Sequence, residues 1–262
     1  MDNYVEQITD ITAETERLNT ELALGTRIQT SMMPNKFPAF PERTDFDIYA
    51  IMEPAKEVGG DFYDFFLIDE EHLGMVIADV SGKGIPAALF MMKASILARN
   101  YAHTGIGPSE ILKAMNNEIC QNNDEEMFLT AWIGILDLTN GKMTAANAGH
   151  EYPAVCLAGG KYEILKDKHG FVIGGMEGLS YTDYTIDLEP GSKLLVYTDG
   201  VPEAADTENN MFGMEGLIDA LNVDTDRNPM EQITAVREAV NVHAGEAEQF
   251  DDITMMCLEY KG

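Results

Sequence analysis

The chain has 262 residues, of which 45% are hydrophobic and 24% charged, enough for one sizeable core and an appended element rather than two independent domains. Its 45 acidic residues outnumber its 17 lysines and arginines and give a net charge of -28, so nucleic acid and anionic membrane surfaces are excluded as expected partners. Three cysteines without metal-binding spacing predict buried thiols in the cytoplasm, and no apolar run reaches the ~18 residues of a membrane span.

Residues 1 to about 33 are predicted to form an N-terminal linker helix. Its first part has the four-and-three spacing of a coiled-coil seam, which favours a homodimer; the alternative is a surface helix packed on its own domain. Leu24, Ile28 and Met32 continue along a shifted face that we expect to contact the following domain, and prolines from Pro34 onwards end the helix. We therefore divide the chain into a linker, residues 1–33, and a domain, residues 34–262. The seam residues are Tyr4, Ile8, Ile11, Thr15, Leu18 and Leu22.

From residue 46 the pattern changes to short strands that bracket two helices. These helices are predicted over Ile85 to His103 and over Pro108 to Asn122, the second with proline in its first turn. Asn140-Gly141 predicts a tight hairpin, and Asn228 predicts the capped start of a last helix. Strands clustered around a helical pair predict an α+β fold of antiparallel-rich layers. The predicted strands cover residues 46–52, 63–68, 73–80, 128–137, 142–147, 152–157, 193–197 and 253–260.

Four acidic motifs stand at predicted strand ends or beside glycine. An aspartate at the end of an apolar strand can point past the sheet edge, and a neighbouring glycine lets a backbone or a ligand approach closely. A single Asp-Gly pair is usually an ordinary turn, so the weight lies in the set of four. Carboxylates without a histidine or cysteine cluster favour Mg2+ or Mn2+ over zinc. The motifs are GGDFYD at 59–64, DVSGKG at 79–84, YTDG at 197–200 and DDIT at 251–254.

These motifs occur in this order, with PAALFM directly behind DVSGKG, and they resemble those of the metal-dependent serine/threonine phosphatases (PPM, type 2C). The resemblance is to the bacterial branch that regulates sigma factors through anti-sigma factor antagonists, and it covers about residues 34 to 260. It implies a layered β-sandwich of mainly antiparallel sheets flanked by helices. It also implies a dinuclear Mn2+ or Mg2+ centre that activates water for attack on a phosphoryl group.

The resemblance assigns metal ligands to positions of this chain. Asp61 and Asp79 are expected to bind the ions, with Asp79 bridging them and the Val80 backbone carbonyl adding an oxygen. Asp199 and Asp251 are expected to complete the site. These four aspartates are therefore the residues on which we expect catalysis to depend.

The roles of five further residues are less direct. Four of them have two possible roles, and the fifth is expected to be structural. Asp252 either contacts a metal-bound water or caps the last strand, and Lys56 either contacts the substrate phosphate or is a solvated surface lysine. The segment after Asp79 lacks the histidine that many eukaryotic relatives use as leaving-group acid, so this task falls to metal-bound water or to Lys83. His150 resembles a loop residue of this branch and is either structural or catalytic. Asp64 is expected to be structural.

The expected function is hydrolysis of phosphoserine or phosphothreonine on a small regulatory protein, an anti-sigma factor antagonist. The alternatives are a catalytically silent, partner-binding module of the same fold and a phosphatase for small phosphoesters. By resemblance, an upstream sensor domain would act through residues 4–32 on the helix pair at residues 85–122.

Overall fold

The computed structural model describes residues 2–121 and 123–262, without the side chains of residues 2–11, 13 and 19. The predicted α+β class is confirmed, with helices and strands in the order expected for a layered fold. The helices are α1 Asp2–Met32, α2 Ile85–Ala102, α3 Pro108–Cys120, α4 Gly213–Asn222 and α5 Pro229–Ala244. The strands are β1 Phe46–Glu53, β2 Phe62–Leu67, β3 His72–Val80, β4 Leu129–Asp137, β5 Lys142–Ala148, β6 Ala154–Cys156, β7 Tyr162–Ile164, β8 Tyr184–Asp187, β9 Lys193–Tyr197 and β10 Ile253–Tyr260.

Within the described residues the strands form two five-stranded sheets, ordered β1-β10-β9-β6-β7 and β2-β3-β4-β5-β8. Every strand pair in both sheets is antiparallel. Inward residues of the two sheets, such as Met256 and Ile77, share one hydrophobic core. Alternate residues of the first sheet, such as Cys257, face a second core formed with α4 and α5. Helices α2 and α3 pack on the second sheet, so the predicted helix-flanked sandwich is confirmed.

Two local predictions need correction. The hairpin between β4 and β5 is closed by the four residues 138–141 rather than by Asn140-Gly141 alone, because Asp137 binds the turn through Thr139 and Asn140. The helix predicted to reach Asn122 ends at Cys120, and Asn122 itself lies outside the described residues. The capping box at the start of α5 forms as predicted: the Asn228 side chain accepts from the Glu231 backbone N-H, and the Glu231 carboxylate accepts from the Asn228 backbone N-H.

The last turns of α1 dock on the loop that leads to Asp61. Gln29, which is 3% exposed, donates from Nε2 to the Gly59 carbonyl over 2.6 Å and accepts from the Gly59 N-H. Thr26 donates to the Glu57 carbonyl. Of the three residues expected to contact the domain, Leu24 is 49% exposed, Met32 is half-buried, and Ile28, 48% exposed, lines a groove against α2. Polar residues of α1 therefore add hydrogen bonds to the docking that apolar spacing had predicted.

The coiled-coil seam stays a prediction, and the side chains of its residues Tyr4, Ile8 and Ile11 lie outside the described residues. Of the later seam residues, Leu18 is 52% exposed and Leu22 is half-buried. None of the helices in the part of the chain described combines the length and the apolar character that crossing a membrane requires.

Candidate metal centre

The four acidic motifs meet at one end of the sandwich. Asp61 precedes β2 and Asp79 lies next to the end of β3, in one sheet, while Asp199 follows β9 and Asp251 precedes β10, in the other. Each aspartate therefore stands where a strand begins or ends, and the two sheets bring the four ends together. Hydrogen bonds that span up to 193 residues join the motifs directly.

Asp61 is the most enclosed of these carboxylates, with 1% of its surface exposed. Its Oδ2 accepts hydrogen bonds from the hydroxyls of Thr198, over 2.7 Å, and Thr254, over 2.6 Å. Burial raises the pKa of Asp61 well above its ordinary value, and the nearby charge of Asp79 raises it further. The two threonine hydroxyls lower this pKa because they bind the ionised form.

The pKa values of Asp79 and Asp199 are raised by burial and by the neighbouring carboxylates. Burial, followed by the charge of Asp199, raises the pKa of Asp79 to about 7. Burial, followed by the charges of Asp251 and Glu203, raises the pKa of Asp199 to about 6. Several carboxylates thus destabilise one another's ionised forms, a repulsion that a bound divalent cation would relieve.

Glycines shape the backbone around this cluster. A Cβ at Gly60 would lie 2.9 Å from the Val80 carbonyl oxygen, and a Cβ at Gly59 would lie 2.3 Å from Oδ2 of Asp252. Both distances are shorter than real side chains tolerate, so the close approach of GGD to DVSGKG and DDIT requires glycine. This packing holds the Val80 carbonyl beside the segment that carries Asp61.

The donor set fits a hard divalent cation. Carboxylate oxygens and a backbone carbonyl are the ligands that Mg2+ and Mn2+ prefer. Among the described residues no three His, Cys, Asp or Glu side chains form a ready-made metal-binding group. An ion would therefore have to draw these carboxylates closer together.

Lys83 contributes a positive charge to this acidic cluster. Its Nζ lies 2.9 Å from Oδ2 of Asp251 and donates to the Phe250 carbonyl over 2.6 Å. It also lies 3.9 Å from the centroid of the Phe250 ring. The ammonium of Lys83 binds the Asp251 carboxylate in the way that a metal cation would. This contact is therefore consistent with a cation site at Asp251.

Asp252 and Lys56 are placed differently from the other predicted residues. Asp252 is 6% exposed, and its carboxylate accepts from the backbone N-H groups of Ala55 and Gly60, each over 2.8 Å. It therefore ties the loop before Asp61 to the start of β10, a role that neither sequence interpretation included. Lys56 is exposed on that loop, and the described residues offer it no ion-pair partner within 4 Å.

His150 and Asp64 are both buried and hydrogen-bonded within the fold. His150 is 3% exposed, its Nδ1 lies 2.9 Å from the Thr130 hydroxyl, and burial lowers its pKa to about 3, so it is neutral near pH 7. Asp64 accepts two hydrogen bonds from Arg99 of α2, over 2.8 and 2.6 Å. This pair confirms the structural interpretation of Asp64 and fixes α2 to β2.

Sequence reasoning overlooked four residues beside the cluster, namely Thr198, Thr254, Glu151 and Glu203. Thr198 and Thr254 lie inside YTDG and DDIT, so the motifs themselves carried the signal. Glu151 follows His150, and its charge is among the causes that raise the pKa of Asp199. No spacing in the sequence connects Glu151 with Asp199.

Comparison with protein families gives a match over most of the domain that follows the linker helix. The model of the family described as Stage II sporulation protein E (SpoIIE) matches residues 69–261. Protein IcfG of Synechocystis is 31% identical in an alignment 265 positions long, which covers 91% of this chain and 41% of that protein. Phosphoserine phosphatase RsbU of Bacillus subtilis is 30% identical over 253 residues, which cover 94% of this chain and 72% of that protein. The chain thus spans about two fifths of the length of IcfG.

Solved structures show the same fold. The SiaA-PP2C domain of Pseudomonas aeruginosa superposes with a TM-score of 0.84 at 22% identity, covering 95% of this chain and 99% of that one. RsbX, solved in complex with magnesium, superposes with a TM-score of 0.62 at 16% identity, covering 84% of this chain and 97% of that one. At these identities the likeness establishes the architecture alone.

Proposed function

The chain belongs to the SpoIIE family of PP2C-type phosphatases, and we propose that it hydrolyses phosphoserine or phosphothreonine on a small regulatory protein, an anti-sigma factor antagonist. The observation that carries this proposal is the convergence of carboxylates from four distant motifs at one end of the sandwich. Carboxylates held this close together repel one another. A partner-binding module without catalytic activity would gain nothing from that repulsion. The name of RsbU, a phosphoserine phosphatase, supports the choice of substrate class.

In this proposal the residues that hold two Mn2+ or Mg2+ ions are Asp61, Asp79, the Val80 carbonyl, Asp199 and Asp251. The chemistry that such a pair of ions supplies is a water of lowered pKa and neutralisation of phosphoryl charge. The magnesium complex of RsbX supports the choice of metal. Asp252 positions the loop that carries Asp61, and the exposed Lys56 on the same loop is free to contact the substrate phosphate.

The burial of the nearby side chains narrows the choice of residue that could protonate the leaving serine or threonine oxygen. His150 is enclosed and neutral near pH 7, so it neither reaches substrate nor is in the imidazolium form that acts as a general acid. Lys83 is partly exposed at the edge of the acidic cluster, beside Asp251. Lys83 and a metal-bound water remain the two candidates within this proposal.

Phosphate release from two kinds of substrate tests the function. The full chain is assayed with Mn2+ on a phosphorylated anti-sigma factor antagonist and on p-nitrophenyl phosphate, with Asp199→Asn as the inactive control. We expect faster release from the phosphoprotein. Release from the small ester alone would favour the small-phosphoester alternative, and Mn2+ binding without any release would identify the silent module.

We further propose that α1, as a linker of residues 1–33, joins two copies of the chain and transmits the state of an upstream sensor domain. Support comes from an apolar groove of about 360 Å3 between α1 and α2 and from the docking of Gln29 beside Gly59. A chain that begins at Asn35 should become monomeric and change its metal dependence; if both properties stay unchanged, this proposal fails. The groove residues include Leu18, Leu22, Ile28, Ile85 and Leu89.

A further inference from the structure

Two threonines from different motifs bind the same oxygen of Asp61. The Thr198 hydroxyl lies 2.7 Å and the Thr254 hydroxyl 2.6 Å from Oδ2. Both threonines are 0% exposed and Asp61 is 1% exposed. The contacts are therefore sealed from solvent, and water cannot replace a hydroxyl that is removed.

The direction of these hydrogen bonds follows from their surroundings. The Thr198 hydroxyl oxygen accepts from the Thr254 backbone N-H over 3.1 Å, so its single proton is left for Asp61. The Thr254 hydroxyl also donates to Asp61. A carboxylate oxygen has two lone-pair sites, so the two donors occupy Oδ2. Oδ1 is then the oxygen of Asp61 that remains for a cation.

The backbone fixes both threonines. The Thr198 N-H donates to the Thr254 carbonyl over 3.0 Å, which extends the β9-β10 ladder by one step. Each hydroxyl is thus held by two adjacent strands of one sheet, while Asp61 comes from the loop before β2 of the other sheet. The pair joins the two sheets at the site where their acidic ends meet.

We propose that Thr198 and Thr254 are positioning residues that bind Oδ2 of Asp61 and so direct Oδ1 toward a divalent cation. The inference rests on the proposed function, because it takes Asp61 as a metal ligand. It gives the threonines of YTDG and DDIT a task in metal binding rather than in strand formation alone. Groups that orient a metal ligand typically affect metal affinity by about 10- to 100-fold.

Direct metal titration of the full chain tests this. Thr198→Val and Thr254→Val each remove a hydroxyl at nearly constant volume, while Thr254→Ser keeps it. Isothermal titration of Mn2+ should give binding weaker by about 10- to 100-fold for either valine variant and within a few-fold of wild type for the serine variant. Thr234→Val removes a hydroxyl that bonds within α5 and serves as the matched control.

The outcomes separate the alternatives. Valine variants that fold and bind Mn2+ as wild type does would overturn the positioning role. Wild-type protein that binds no Mn2+ would overturn the proposed metal site, and this inference with it. Should a valine variant not fold, alanine is tested at the same position; failure of both to fold, unrelieved by Mn2+, would show a structural role and count against the proposal.

Discussion

Replacing Asp79 with asparagine should stabilise the metal-free protein at alkaline pH. The ordinary pKa of an aspartate is 3.8, and burial with the charge of Asp199 raises that of Asp79 to about 7. Between these values the folded protein retains a proton that the unfolded chain has released. The free energy of unfolding therefore falls as pH rises from about 4 to 7 and stays low above that range. The whole effect corresponds to ~4 kcal/mol.

Urea unfolding with a chelator at pH 5 and pH 8 measures this effect. Asp79 accounts for ~3 kcal/mol of the stability that wild type loses between these pH values, and Asp79→Asn should recover most of it. Asp219→Asn, on an exposed position of α4, makes the same chemical change as a control. The contribution of His150 is common to all three proteins and cancels. Identical pH dependence in wild type and Asp79→Asn would refute the argument that Asp79 lies in a repulsive cluster.

Three further substitutions test other contacts of the site. Lys83→Met removes an ammonium that competes for Asp251, so calorimetric Mn2+ affinity should rise roughly tenfold, or ~1.4 kcal/mol; weaker binding would mean that Lys83 holds Asp251 in place. Arg99→Met leaves the buried Asp64 unpaired and should lower the free energy of unfolding in urea by roughly 3 kcal/mol; an unchanged value would contradict a stabilising pair. His150 has a pKa of about 3, below its ordinary 6.5, so the folded protein binds fewer protons than the unfolded chain as pH falls below 6.5. His150→Gln should therefore reduce the acid-induced loss of stability in urea unfolding and leave the shape of the pH-rate profile above pH 6 unchanged; a lost inflection would implicate His150 in catalysis.

The parts of this fold that local chemistry determines could be predicted. The strong strands and the helices α2, α3 and α5 have clear periodicity, proline at their first turns or a capping box. Strands β7 and β8 have three and four residues, too few to show alternation. Helix α4 begins without a side-chain cap, so its start carried no signal. These three elements were missed.

The site divides in the same way. The candidate aspartates could be recognised because their motifs are local, but their convergence came from the family resemblance. The contacts made by Gln29, Thr198 and Asp252 join residues 30 to 197 positions apart, and no periodicity encodes such distances. The burial of His150 depends equally on the packing of segments distant in sequence. The burial and long-range hydrogen bonds of these residues are visible only in the structure.

The pairing of β1 with β10 has a consequence for protein engineering. The ladder runs from Phe46 opposite Tyr260 to Glu53 opposite Ile253, and the acidic end is the one at Glu53. The opposite end, where the backbone of Gly262 bonds to that of Asp45, lies ~25 Å away along the strands. A fluorescent reporter attached after Gly262 would therefore lie at the end of the sandwich opposite the acidic cluster.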